Sequence, residues 1–157
     1  MRHSINRLLL SLLAVMMFSW QALASPELKN LKISVDLLDN GDAEIVEERF
    51  MEIDNVGTEC YIVIGNLEGS TIKDFSVTDE TGCHYDYIGS WDVNRTRAEK
   101  TDKCGIVQKS NGMELCWGLG RSGSRVYTVR YVVTDFVRAY EESDGFNWMF
   151  VTLKHTR

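Results

Sequence analysis

Proline occurs once in 157 residues, at Pro26. A chain this poor in proline has no proline-rich linker and no compositional break between two domains. Histidine occurs three times, and His3 lies in an N-terminal segment expected to be removed. The remaining two histidines cannot build a multi-histidine metal site alone. The four cysteines stand 23, 21 and 12 residues apart. Without a CxxC, neither thioredoxin-like redox chemistry nor a zinc knuckle is expected. Basic residues do not predominate: 17 Lys and Arg face 23 Asp and Glu, a net charge of −6. That balance argues against nucleic acid as a partner. No stretch beyond the N-terminus is apolar enough to span a bilayer. What remains, 44% hydrophobic and 25% charged, is an ordinary globular composition rather than a disordered or collagen-like one.

Residues 1–24 contain no acidic residue. Arg2 and Arg7 form a positive start, residues 8–20 are largely apolar, and Ala22-Leu23-Ala24 supplies the small-x-small pattern cut by signal peptidase. The apolar run is shorter than the ~20 residues of a membrane span, so a cleaved secretory signal is expected ahead of an uncleaved anchor. No cysteine follows the cut, which argues against a lipoprotein anchor. The expected product is a single extracytoplasmic domain over residues 25–157. Losing Arg2 and Arg7 leaves 15 basic against 23 acidic residues.

Cys60, Cys83, Cys104 and Cys116 all follow the signal, and an even number in an exported chain favours disulfides. Three pairings are possible. Four buried thiols are the alternative, since free cysteine behaves as a small hydrophobe.

Past the signal, apolar and polar residues alternate. Leu31, Ile33, Val35 and Leu37 alternate with Lys32, Ser34 and Asp36, a half-buried strand. Asp39-Asn40-Gly41-Asp42 reads as a hairpin turn, and residues 43–53 return. Further strands are expected at 60–64, 72–78, 84–88, 106–109, 113–117, 125–137 and 146–153, with short helical turns at 95–103 and 138–143. Many short strands separated by turn signals indicate an all-β antiparallel sandwich, immunoglobulin-like or jelly-roll-like.

A two-residue Asn40-Gly41 loop would place Val35 opposite Val46, Ile33 opposite Glu48 and Leu31 opposite Phe50. Glu48 would then be an inward carboxylate needing a partner. A longer loop would slip the register by one and turn Glu48 outward. A two-residue Asn111-Gly112 loop would pair Lys109 with Glu114, Val107 with Cys116 and Ile106 with Trp117. Cys104 and Cys116 then fall on opposite faces, which disfavours a bridge between them and leaves two pairings; of these, Cys83–Cys104 with Cys60–Cys116 is the one expected here.

Most familiar chemistry fails on mechanical grounds. Residues 118–123 match GxGxxG, but the strongly β run that follows offers no helix N-terminus for a pyrophosphate, so no cofactor is expected. Cys83 and His84 are neighbours, and neighbours on a strand point to opposite faces rather than to each other. Asp36, Asp39, Asn40 and Asp42 lack the spacing and distant glutamate of a calcium loop. Among the aromatics, Trp117 reads as core. Trp91, after Gly89-Ser90 and before a polar loop, is the candidate exposed ligand-contact residue. Asn94-Arg95-Thr96 is a glycosylation sequon, relevant only in a eukaryotic host.

The order of motifs resembles a family. Leu31 to Val35 leads into Asp39-Asn40-Gly41-Asp42-Ala43-Glu44-Ile45-Val46-Glu47-Glu48; later come Glu114-Leu115-Cys116-Trp117 and Tyr127 to Val133. This resembles the N-terminal extracytoplasmic domain of the YciQ-like predicted membrane proteins, domain of unknown function 2207. Gly41, Val46, Glu48, Trp117, Tyr131, Tyr140, Asp144 and Trp148 match its pattern, over about residues 30–150. The resemblance implies a β-sandwich outside the cytoplasmic membrane, followed by membrane spans and by further strands after Trp148. Neither follows Trp148 here, so a shortened product is one expectation. The family brings no catalytic residues with it.

Three functions follow as expectations. The first is a non-catalytic cell-envelope module acting by interaction with a protein or glycan, with membrane association through segments beyond this chain. The second is a carbohydrate- or peptide-binding surface around Trp91. The third is an envelope hydrolase or thiol enzyme.

Overall fold

The computed structural model describes residues 26–139, 141–151 and 156–157. The expected signal, Tyr140 and His155 lie outside the described residues. In chain order the elements are β1 (Glu27–Leu37), β2 (Ala43–Ile53), β3 (Glu59–Gly65), β4 (Ile72–Asp79), β5 (Asp86–Ser90), α1 (Arg97–Lys100), β6 (Lys103–Lys109), β7 (Gly112–Gly118), β8 (Gly123–Val133), β9 (Arg138–Ala139) and β10 (Asp144–Gly145). Two four-stranded sheets, β1-β2-β8-β4 and β3-β7-β6-β5, pack together as an all-β sandwich. All pairs are antiparallel except β5–β6, which runs parallel because 91–102 crosses over the sheet between them. β9 and β10 form a short separate ribbon where a helical turn was expected at 138–143. Residues 146–151 carry no strand.

The core follows from alternation. β2 buries Ala43, Ile45, Met51 and Ile53, and β8 buries Tyr127, Val129, Tyr131 and Val133. Facing them are Cys60, Ile62, Ile64, Leu115 and Trp117 from the other sheet. Trp117, expected in the core, is fully buried there. The Phe75–Tyr87 edge contact at 6.3 Å sets β4 over the β5 end of the second sheet. Sheet order then puts β1 at the opposite end, above β3.

Both expected hairpins are revised. The first loop has five residues, 38–42, closed by Leu38 N–H to the Asp42 carbonyl at 2.9 Å, with Gly41 at φ 84°. Val35 therefore faces Ile45, Ile33 faces Glu47 and Lys32 faces Glu48. This one-residue slip turns Glu48 outward, where it meets Lys32 at 3.2 Å. In the second hairpin the turn is Ser110-Asn111, and Lys109 pairs with Gly112. Ile106 opposes Leu115, and Val107 opposes Glu114. A slip of two residues preserves side-chain facing, so Cys104 and Cys116 do lie on opposite faces.

The 91–102 crossover lies on the outer face of the second sheet, and glycine makes its close approach possible. A Cβ on Gly118 would stand 1.9 Å from the Lys100 carbonyl oxygen. Gly118→Ala should destabilise the fold by about 1–3 kcal/mol, the usual range for overpacking. Denaturant titration measures this; a variant as stable as the parent would show that the crossover is not held against β7.

Candidate functional site

Two clusters of buried charge organise the polar chemistry. The first lies between the sheets. Strand alternation sends Glu47 and Arg49 together to the core face of β2, and they are 0% and 2% exposed. Arg49 Nε donates to Glu47 Oε2 at 3.1 Å, and the Tyr131 hydroxyl donates to Glu47 Oε1 at 2.8 Å. The Arg49 guanidinium also lies 5.9 Å from the Trp117 ring centre. Burial raises the Glu47 carboxyl above its ordinary range, against the opposing pull of Arg49 and the Tyr131 bond. Burial likewise pushes the Tyr131 hydroxyl up.

The second cluster lies on the outer face of the β3-β7-β6-β5 sheet and centres on Glu59. Its Oε2 is 2.7 Å from Lys100 Nζ and accepts the Trp91 indole N–H at 2.6 Å. Lys100 is completed by Thr58 Oγ1 at 3.0 Å and the Val93 carbonyl at 2.7 Å. Arg157 bonds the other Glu59 oxygen and also Glu114, and its guanidinium lies 4.2 Å from the Tyr61 ring centre. Burial works to raise the Glu114 carboxyl, but Arg157 and Lys109 hold it below its usual range. Trp91 packs with Tyr61 and Cys116 into a small satellite core.

α1 delivers Lys100 to this site. Thr96 caps it and Glu99 reaches back to the Thr96 N–H at 2.8 Å, a reciprocal capping box. Arg97 clamps three carbonyls, of Asp54, Gly57 and Gly120. The Gly-rich stretch 118–123 runs from the last residue of β7 to the first of β8, so 119–122 is a connection leading into a strand.

Several expected site residues are relocated. Trp91 is 5% exposed, because its indole N–H is consumed by Glu59; it is not a surface aromatic. Glu48 is not the inward carboxylate; Glu47, one residue earlier, is. The four cysteines are all unbridged thiols. Cys60 pairs with Trp117 while Tyr61 pairs with Cys116, so Cys60 and Cys116 leave opposite faces of one sheet and cannot join. Cys83 and Cys104 direct their sulfurs to carbonyls, of His84 at 3.8 Å and Tyr85 at 3.9 Å. Burial pushes the thiols of Cys60 and Cys116 up to about 12 and that of Cys104 to about 11. His84 turns away from Cys83 to Thr78, Nδ1 to Oγ1 at 2.9 Å. Asp42 caps the Asp135 N–H at 2.9 Å, so the acidic turn serves a structural role. Among the described residues, no group of three His, Cys, Asp or Glu is placed to hold a metal ion.

Glu47, Arg49, Glu59, Lys100 and Arg157 were not singled out by sequence. For the first two a signal existed. An inward Glu48 shares its face with Glu44 and Glu52 and with no cation, whereas the other parity brings Glu47 and Arg49 inside as a mutually neutralising pair. For Glu59 and Lys100, 41 residues apart in sequence, no local signal exists.

One further surface stands out. The described C-terminal residues return along β3: Thr156 bridges Cys60, and Arg157 exchanges backbone hydrogen bonds with Glu59. Beyond them a groove of about 430 Å³ is lined by Val63, Ile64, Gly65, Asn66, Asn147, Trp148 and Met149. Val63, Phe146, Met149 and Val151 are exposed. No family model matches the chain, and no curated protein matches it.

Glu47 gives a pH test with a definite sign. A carboxyl raised in the folded state favours folding while protonated and loses that contribution as pH climbs from about 4.5, the unfolded value, through the folded one. Glu47→Gln should therefore gain stability relative to the parent as pH rises across that window. Paired denaturation curves from pH 4 to 8, an interval set by the ordinary carboxyl value of roughly 4.3, measure the difference. A parent that gains on the variant with rising pH would mean that Arg49, not burial, governs the carboxyl.

Proposed function

We propose that the chain is an exported envelope module that works by protein contact rather than by catalysis. The observation that carries this reading is a contrast between interior and surface. The buried carboxylates and cations are engaged with one another, and all four thiols are pushed above their ordinary range. A thiolate nucleophile needs the opposite environment. Apolar side chains instead line a groove beside β3, where Val63 and Met149 meet water. Exposed apolar patches of this kind mark contact surfaces. The signal-like residues 1–24 support export. The resemblance to the extracytoplasmic domain of the YciQ-like proteins supports an envelope setting, and it rests on short motifs alone. Trp91 is buried, so no glycan platform is built on it.

The contact commits to an extended segment of a partner envelope protein, seated in the groove between residues 63–66 and 147–149. Thr156 and Arg157 already use the start of β3 for backbone pairing, the mode by which an extended segment adds to a sheet edge. The test expresses the full chain in its host cell with a photo-crosslinking residue at position 149. Export with cleavage after Ala24, and a crosslink to one envelope protein that Val63→Asp abolishes, is the expected outcome. Val63→Asp should itself fold, since exposed substitutions cost within about 0.5 kcal/mol. An unprocessed cytoplasmic chain, or a crosslinking pattern that Val63→Asp leaves unchanged, contradicts the reading.

A further inference from the structure

β1 is an 11-residue edge strand, and among the described residues no strand pairs with its outer side. Its core-facing residues Leu31, Ile33 and Val35 are only half-buried, and Leu37 is 55% exposed. Backbone direction follows from the hairpin. Leu38 bonds Asp42, and in an antiparallel ladder hydrogen-bonded positions alternate. Ser34 and Asp36 therefore bond β2, while the N–H and C=O groups of Ile33, Val35 and Leu37 face the open edge. The Leu31 N–H has no strand partner either: it is capped by its own neighbour, Asn30 Oδ1, at 2.8 Å.

The strand is complementary to itself. When two copies run antiparallel about a two-fold axis at Ser34, Ile33 meets Val35 and Leu31 meets Leu37 on the inner face. Lys32 meets Asp36 on the outer face, and the symmetry makes each pair occur twice. The open-edge backbone groups fall opposite one another in the same register, because paired residues share parity. Edge lysines ordinarily discourage strand pairing, and Lys32, which meets Glu48 within its own sheet at 3.2 Å, favours a partner with an acid at that position. Asp36 of a second copy supplies it. Beyond the strand, Lys29 comes level with Asp39 of the hairpin loop.

We propose that β1 is a homodimer edge, joining two copies through a continuous eight-stranded sheet in the Ser34-centred register. This inference does not depend on what binds beside β3 or on where the protein resides. A single strand pair is a small interface, so the dimer is a weak one.

Sedimentation equilibrium of the purified full chain, taken to concentrations on the order of 1 mM, reads the association. The parent is expected to form dimers. Asp36→Lys sets like charges opposite each other twice and should weaken association about tenfold or more. Lys32→Asp combined with Asp36→Lys restores opposite charges across the axis and should recover dimers. Ile33→Pro removes an open-edge donor without touching the β2 ladder and should abolish the dimer while the chain stays folded by circular dichroism. A parent that remains monomeric at the highest concentration overturns the proposal. So does an Asp36→Lys variant that dimerises as well as the parent, or a double exchange that fails to recover dimers from folded protein.

Discussion

Glu59 has no surface in water, and two cations and an indole N–H share its two oxygens. A carboxylate this deep is tolerated only when its lone pairs are filled. Each group that fills them arrives on a different segment of the chain. Lys100 brings α1, Trp91 brings the start of the 91–102 crossover, and Arg157 brings the end of the chain. The parallel placement of β5 beside β6 depends on that crossover lying flat, so the order of the second sheet leans on one side chain. Gly118 is the steric counterpart, leaving room for the Lys100 backbone that the charge pulls in.

The Glu47–Arg49–Tyr131 group repeats this logic inside the sandwich. There a satisfied ion pair sits among aromatics and aliphatics where an apolar pair would also pack. What it adds is register. A slip by one residue along β2 would exchange Glu47 and Arg49 for Glu48, which would have no cation beside it on its face. Burial and pairing thus absorb the reactive-looking side chains into the architecture. The surface left for function is apolar beside β3 and self-complementary along β1.

The all-β sandwich was legible in the alternation of residues 31–37 and 43–53 and in the turn signals between strands. The ends of the sites were not. Asn40-Gly41 is a strong two-residue turn signal, but Leu38 and Asp42 close a wider loop, and one residue of difference exchanged Glu48 for Glu47 as the buried acid. Trp91 sits in a polar neighbourhood in sequence, yet its partner Glu59 lies 32 residues away. Sequence proximity holds no trace of that bond. Cys104 and Cys116 face opposite ways in either hairpin register, because a two-residue slip leaves parity intact. The bridge assigned to Cys60 and Cys116 failed because their strands are neighbours in one sheet with side chains on opposite faces.

The most direct test of the Glu59 hub is the unfolding free energy of Lys100→Met, followed by tryptophan emission. Methionine fills the space of the lysine stem but leaves Glu59 without the cation on its Oε2 side. The expected result is a loss of about 3–5 kcal/mol, the cost of breaking a buried pair from one side, with Trp91 emission shifting toward that of an exposed indole. A variant within about 0.5 kcal/mol of the parent, with emission unchanged, would contradict the claim that this charge cluster holds the crossover in place.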